Sequence, residues 1–229
     1  KGLISLYGKP LRFNDLYTDK EITFAAPPLG LNSKLDIQRY SLFEEDEESK
    51  LISDLHSKLL YLAHKNTKNT TIAITNQGTL FSKNKGINYF REKIIEQNWV
   101  DSIITLPSGI LTNTTINTAL IILKKDRNKN EKIQLIDFSN CKKDNSSKRG
   151  TISIASEEIK SLYKTYKNRK ANNNSILISK EEIKENNYDL NFNKYILSKE
   201  DKTWKGDIGI KEMIPLEDTV NIIRPLAIQ

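Results

Sequence analysis

Residues 21–30 read Glu21-Ile22-Thr23-Phe24-Ala25-Ala26-Pro27-Pro28-Leu29-Gly30. An apolar, partly β-branched run stops abruptly at two prolines. Proline has no amide hydrogen to give to a sheet ladder, so the stretch predicts a buried strand ended by a rigid turn. The carboxyl ends of strands are where open α/β sheets place their ligands. Two prolines there hold the backbone carbonyls in a fixed direction. Taken alone, the corner also fits an ordinary Pro-Pro turn, and only the order of the downstream segments separates the two readings.

Downstream, the acidic run 44–48 precedes Leu51, Leu55, Leu59 and Leu62, whose spacing predicts a helix with one apolar face. The acidic residues favour the positive amino end of that helix. Thr70–Thr75 is a β-rich run closed by Asn76-Gln77-Gly78. Ile87–Asn98 predicts a helix burying Phe90, Ile94 and Ile95. Val100–Leu106 predicts a strand stopped by Pro107-Ser108-Gly109. Thr118–Leu123 is nearly all apolar, and Lys132–Phe138 predicts a last strand after a charged turn. Strands alternating with helices predict an α/β sheet with parallel members. A hairpin across 124–131 adds an antiparallel strand, expected at the edge.

After Ser139 the composition turns polar. Ser156-Glu157-Glu158-Ile159 opens a helix to about Asn168, with Ile159, Leu162, Tyr163 and Tyr166 on its apolar face. Residues 168–174 form a polar linker, Ile176–Ile178 a short strand, and Ser179-Lys180-Glu181-Glu182-Ile183 a second capped helix start. The expected organisation is an α/β unit over 1–140, a helical extension over 141–196 and a tail over 197–229.

A chain of 229 residues makes one large domain or two small ones. One cysteine, Cys141, excludes a disulfide framework and suits a reducing cytoplasm. Two histidines, His56 and His64, make a histidine-built metal centre an unlooked-for outcome, and surface or helix-end roles are expected for both. No apolar run reaches the roughly 20 residues of a membrane span, so no membrane partner is expected. The net charge of +7 favours a polyanionic partner. It is weak evidence, because Arg supplies only seven of the 36 basic residues, and Arg forks are the usual base readers. The first residue is Lys and the single Met is Met213, which reads as a piece of something longer or a processed product.

The ordered series IAITNQGTLF (72–81), INYFREKIIEQNWVDSIITLPSGIL (87–111), TINTALIILKK (115–125) and IQLIDFS (133–139) resembles the second half of the adenine-specific DNA methyltransferases. It is most similar to modification subunits of type I restriction-modification systems. The segment Asn187-Tyr188-Asp189-Leu190-Asn191, with Tyr195, resembles the end of the same subunits, and the resemblance covers about residues 15–196. It implies the C-terminal half of a Rossmann-like, S-adenosylmethionine-dependent sheet. It also implies double-stranded DNA as substrate, a specificity subunit or target-recognition domain as partner, and a restriction subunit as a further one.

In that family an Asn-Pro-Pro-Phe corner faces the adenine, which must leave the base stack to react. The resemblance places Ala26, Pro27, Pro28 and Leu29 at those positions, so the chain carries a degenerate motif. Ala26 stands where an amide oxygen would accept from the amino group, and Leu29 where a ring would stack on the base. A methyl group accepts no hydrogen bond, and losing such a contact costs about 10²-fold in rate. The cofactor's glycine-rich turn has no counterpart in residues 1–20, where Gly2 and Gly8 are isolated; it is expected upstream of Lys1. Adenine-N6 methyl transfer, impaired in this chain alone, is the leading expectation. The alternative is a non-catalytic scaffold or a DNA- or specificity-subunit-binding module of the same descent.

Other residues draw plainer readings. Lys124, Lys125, Arg127, Lys129, Lys142, Lys143, Lys148 and Arg149 could touch phosphates or form a solvated basic face. Trp99 is expected at a helix–strand junction, and Trp204 in a tail resembling the entry to a target-recognition domain.

Overall fold

The computed structural model describes residues 21–26, 29, 47–111, 116–144 and 153–196. The element order is β1 (Ile22–Ala25), α1 (Glu47–Lys50), α2 (Leu55–Asn66), β2 (Thr70–Asn76), α3 (Gly78–Phe81), α4 (Lys85–Glu96), β3 (Val100–Thr105), β4 (Thr118–Lys124), β5 (Ile133–Asp137), β6 (Lys143–Asp144), β7 (Ser153–Ile154), α5 (Ser156–Asn168), β8 (Ser175–Ile178) and α6 (Lys180–Glu185). Six strands make one sheet in the order β1-β2-β4-β3-β5-β8, and β6 pairs with β7 separately. The chain forms two compact units by Cα proximity, dividing between Phe192 and Asn193. Of the second unit only 193–196 are described, and they are helical.

The sheet is mixed, as expected, but its antiparallel strand is not where the hairpin reading put it. β4 lies between β2 and β3 and runs antiparallel to both. β5 then pairs parallel with the far side of β3, so β4 and β5 are not partners. The reason is in β4's own sequence. Ala119, Ile121, Ile122 and Leu123 are all buried, so the strand is covered on both faces and cannot sit at an edge. The antiparallel edge is β8, paired with β5. That strand is the short one expected at Ile176–Ile178, and it joins the main sheet.

β1 also departs from expectation. It is parallel to β2, with Ala25 opposite Ala73. Thr23 is buried, whereas Ile22 and Phe24 are 56% and 76% exposed. Only one face of β1 is packed, so the apolar run is not a fully buried strand.

The helices begin where side chains cap them. Asp54 accepts from the Ser57 amide at 2.8 Å and its hydroxyl at 2.7 Å, which starts α2 after Leu51 rather than at it. Leu51 is consequently 60% exposed and leaves the apolar face predicted for it. Asn84 caps α4 through the Gly86 and Ile87 amides, and Ser179 caps α6 through Glu182. α4 buries Phe90, Ile94 and Ile95 as predicted. On α5, Leu162 and Tyr166 pack on a cluster of Ile104, Leu106, Ile122, Ile136 and Phe138, while Ile159 and Tyr163 face solvent. Burying side chains of this size contributes about 1.5–3 kcal/mol each.

The histidines lie in the first and last turns of α2, the helix-end positions expected, but both are buried rather than at the surface. His56 Nε2 lies 3.0 Å from the Thr75 hydroxyl, and His64 Nδ1 lies 2.9 Å from that of Thr71. Both bonds join α2 to β2, and Trp99 sits edge-on to His64 at the start of β3.

Candidate functional site

Register brings several chain segments to one edge of the sheet. β1 and β2 are parallel, so Ala26 and Asn76-Gln77 leave the sheet at the same end. Antiparallel β4 enters there, with Thr118 opposite Asn76. β3 and β5 also finish there, with Thr105 opposite Asp137. Ala26 is exposed and Leu29 half-buried; Pro27 and Pro28 lie outside the described residues. Ala26 thus leaves the sheet at the same end as Asn76-Gln77-Gly78 and Ile116-Asn117, the end at which α/β sheets take ligands.

These segments are tied together. The Gln77 amide donates to Asn117 O at 2.9 Å, and the Leu106 amide to Thr118 O at 2.9 Å. Asn76 Oδ1 accepts from the Thr79 amide at 2.8 Å and the Thr79 hydroxyl at 3.1 Å, turning the chain into α3. A Cβ on Gly78 would lie 3.0 Å from that same oxygen, so glycine gives the turn its room. At the end of β5, Asp137 Oδ1 accepts from the Thr105 hydroxyl and the Ser139 amide. Burial works to raise its pKa; those hydrogen bonds outweigh it and leave the carboxyl below its ordinary value.

Sequence reading passed over Arg91. It is 2% exposed. Its Nη1 donates to Thr79 O, its Nη2 to Ser82 O and Asn88 Oδ1, and its Nε to Tyr188 O, each at 2.8 Å. The Leu190 amide donates to Leu80 O at 2.9 Å. The loop after β2 is therefore braced from below by α4 and from the side by residues 188–190. A signal existed: Arg91 lies four residues before Ile95 and three before Ile94, a cation within the buried stripe of a helix.

At the opposite edge lies a cluster of charges. Asp101, 1% exposed, meets Arg169 Nη1 at 2.9 Å, Lys124 Nζ at 3.3 Å and Arg127 Nε at 3.8 Å, and accepts from the Tyr166 hydroxyl at 2.9 Å. Arg127 also donates to Glu131 O and Lys132 O, closing the β4–β5 turn. Lys125 donates to Lys65 O at 2.8 Å. Lys124 and Arg127 are thus engaged within the protein, whereas Lys125, though bonded to Lys65 O, is exposed, as are Lys129 and Lys142. Cys141 is half-buried and packs on the cluster around Ile104. Among the described residues no group of three His, Cys, Asp or Glu is arranged to hold a metal ion, and no helix is long and apolar enough to cross a membrane. Trp204 and residues 220–223 lie outside the described residues.

The arrangement agrees with that of known proteins. The N-6 DNA methylase family profile matches residues 20–203. The methylase subunit of the type I restriction enzyme MpnII of Mycoplasma pneumoniae is 28% identical over 178 residues, 69% of this chain and 31% of that protein. The crystal structure of a type I restriction-modification methyltransferase subunit from Streptococcus thermophilus superposes with a TM-score of 0.63 at 25% identity. That match covers 76% of this chain and 37% of that one. A modification subunit of a putative type I restriction enzyme from Vibrio vulnificus YJ016 shares the fold, with a TM-score of 0.54 at 19% identity, over 71% of this chain and 34% of that one. The chain spans about a third of the length of each of these relatives. With the family profile matching most of its length, the chain belongs to the N-6 DNA methylase family.

Proposed function

We propose that this chain is the target-base half of an adenine-N6 DNA methyltransferase of a type I restriction-modification system, with a degenerate corner at Ala26, Pro27, Pro28 and Leu29. The observation that carries the reading is the juxtaposition at one sheet edge of Ala26, the Asn76–Gly78 turn and Ile116-Asn117. An extruded adenine at that edge would meet the corner and the loop after β2 together. Orienting its amino nitrogen takes directed acceptors. The proline-corner carbonyls are one source; at position 26 the alanine methyl offers none. At position 29 leucine supplies apolar contact without a π face for stacking.

S-adenosylmethionine is the methyl donor in this reading. The residues present do not fit it: Gly78, Gly86 and Gly109, the glycines among the described residues, are scattered rather than grouped in one phosphate- or nucleoside-cradling turn. Double-stranded DNA, a specificity subunit or target-recognition domain and a restriction subunit are the partners proposed by kinship. The expected division into an α/β unit over 1–140, an extension over 141–196 and a tail over 197–229 stands as part of this proposal.

The test is methyl transfer from labelled S-adenosylmethionine to duplex DNA by the intact protein and by its double variant Ala26→Asn with Leu29→Phe. The double variant should gain about 10²-fold in rate, the worth of a lost positioning contact. No gain, with no adenine methylated by either protein, would sink the assignment. The unreactive methyl of Ala26 favours a second reading, a scaffold that binds DNA or a specificity subunit without catalysis. Calorimetry separates the two, since tight cofactor binding by this chain speaks against a scaffold.

A further inference from the structure

We propose that Arg91 is a positioning residue that couples the loop Asn76–Ser82 to the turn Asn187–Leu190, so that the shape of the candidate base site depends on a segment 97 residues further along the chain. The inference rests on the reading that this loop borders the base site.

Three short segments meet on one guanidinium. α3 is a single turn, and its last carbonyls have no partner within the helix. Arg91 takes two of the carbonyls there, Thr79 O and Ser82 O, each at 2.8 Å. A fork of five N–H donors in fixed geometry suits that task, and an ammonium on a flexible stem does not. The third contact, Nε to Tyr188 O, reaches a piece of chain in an uncommon backbone state. Asn187 and Tyr188 both have φ of 56°, in the left-handed region that non-glycine residues rarely adopt. Two such residues in succession persist only where their surroundings fix them. Here the fixing contacts are the Asn187 and Tyr188 amides on Lys184 O and Ile183 O, which close the end of α6, together with Arg91 below, the Leu190 amide on Leu80 O, and the Tyr188 hydroxyl on Glu96 at 3.1 Å. Lys180 and Lys184 from α6 close on the same Glu96 carboxylate at 3.2 Å and 2.7 Å, which anchors the turn's entry to the end of α4.

The coupling arises from shared partners. Leu80 O receives the Leu190 amide, while the Leu80 amide donates to Gln77 O within the loop. Displacing the turn pulls on Leu80 and Arg91 together, and both bear on the segment between Asn76 and Ser82. Because a guanidinium this buried must keep its acceptors, loop and turn move as one body or not at all.

Hydrogen–deuterium exchange on the intact protein tests this independently of any activity. Arg91→Met should speed exchange about a hundredfold at the amides of Leu80, Ser82 and Leu190 together, leaving Ile103 and Ile121 in the sheet unchanged. Asn88→Ala, which removes one of the four bonds and keeps a good helix former, should speed the same amides about fivefold. If Arg91→Met does not fold, Asn88→Ala alone decides. Unchanged exchange at Leu80 and Ser82, or loosening there without loosening at Leu190, overturns the coupling. Methyl transfer is then measured in the Ala26→Asn, Leu29→Phe background. Arg91→Met, or Asn88→Ala in its place, should lower kcat with the KM for S-adenosylmethionine unchanged. A loosened loop with kcat intact overturns the positioning role. If that background methylates no adenine at all, the functional reading fails, and exchange still decides the coupling.

Discussion

His64 on α2 donates from Nδ1 to the hydroxyl of Thr71 on β2, 2.9 Å away, and the direction of that bond is fixed by a chain of hydroxyls behind it. Thr67 donates its one proton to Ala63 O at 2.7 Å, since a carbonyl can only accept. Thr71, 3.1 Å from the Thr67 oxygen, must then be the donor of that pair. Its own oxygen is left to accept from His64. The Thr67 hydroxyl also lies 2.8 Å from that of Thr23, which brings β1 into the same buried network. Among the described residues, Nε2 of His64 is buried without a hydrogen-bond partner. The ring is therefore held neutral. Burial, aided by the charge of Lys125, pushes its pKa down to about 3.

This predicts an acid-sensitive fold. His64 has a free-chain pKa near 6.5 and a folded value of about 3, so the unfolded state binds the extra proton between them. Its contribution is complete above pH 6.5 and is lost as pH falls toward 3, at up to about 1.4 kcal/mol per pH unit. His64→Asn keeps a donor near Nδ1 and does not titrate. Urea denaturation from pH 7 to 4.5 should show a shallower decline for the variant than for the natural protein. Parallel slopes would contradict the assignment.

Asp101 is the counter-charge for Arg169, Lys124 and Arg127. Burial works to raise its pKa, and the neighbouring Lys124 and Arg169 charges with the Tyr166 hydroxyl bring it below the ordinary value. Asp101→Asn leaves three cations facing one another around a neutral amide. A loss of about 3–5 kcal/mol is expected at pH 7, the usual cost of breaking a buried pair from one side. The deficit should shrink as pH falls from the ordinary carboxylate value, where the unfolded chain takes up the proton, toward the lower folded value, where the natural protein also loses the charge. Chemical denaturation at pH 7 and pH 3 measures both.

Gly86 in the first turn of α4 tolerates no side chain. A Cβ there would lie 2.1 Å from Ser53 Oγ and 2.6 Å from the Ser53 backbone nitrogen. The hydroxyl could rotate away, but the backbone could not. Gly86→Ala should destabilise by about 1–3 kcal/mol, despite alanine's better helix propensity. Thermal melting compared with Lys85→Ala, an exposed neighbour on the same helix, isolates the steric cost.

Which elements form was readable because it depends on local rules. The apolar stripe Phe90, Ile94 and Ile95, the β-branched run of β2 and the caps at Asn84 and Ser179 act within a few residues of themselves. Leu51 misled because a heptad-like leucine spacing says nothing of Asp54, whose side chain restarts the helix after it. The histidines misled because a buried polar ring needs a hydroxyl from another element, and Thr71 and Thr75 become visible only when α2 lies on β2. That Ala26 leaves the sheet at the same end as Asn76 follows from parallel pairing, which alternating strands and helices already imply.

By itself the sequence determined that strands and helices alternate, that a strand precedes Ala26, and that the chain has kin among adenine methylases. Period, turn chemistry and motif order are properties of neighbours along the chain, so they survive without coordinates. Tertiary structure alone decided that β4 inserts between β2 and β3, and that Arg91 joins a loop to a turn 97 residues beyond it. Both depend on which faces are covered and which acceptors are left over after packing, quantities that no local stretch of chain contains.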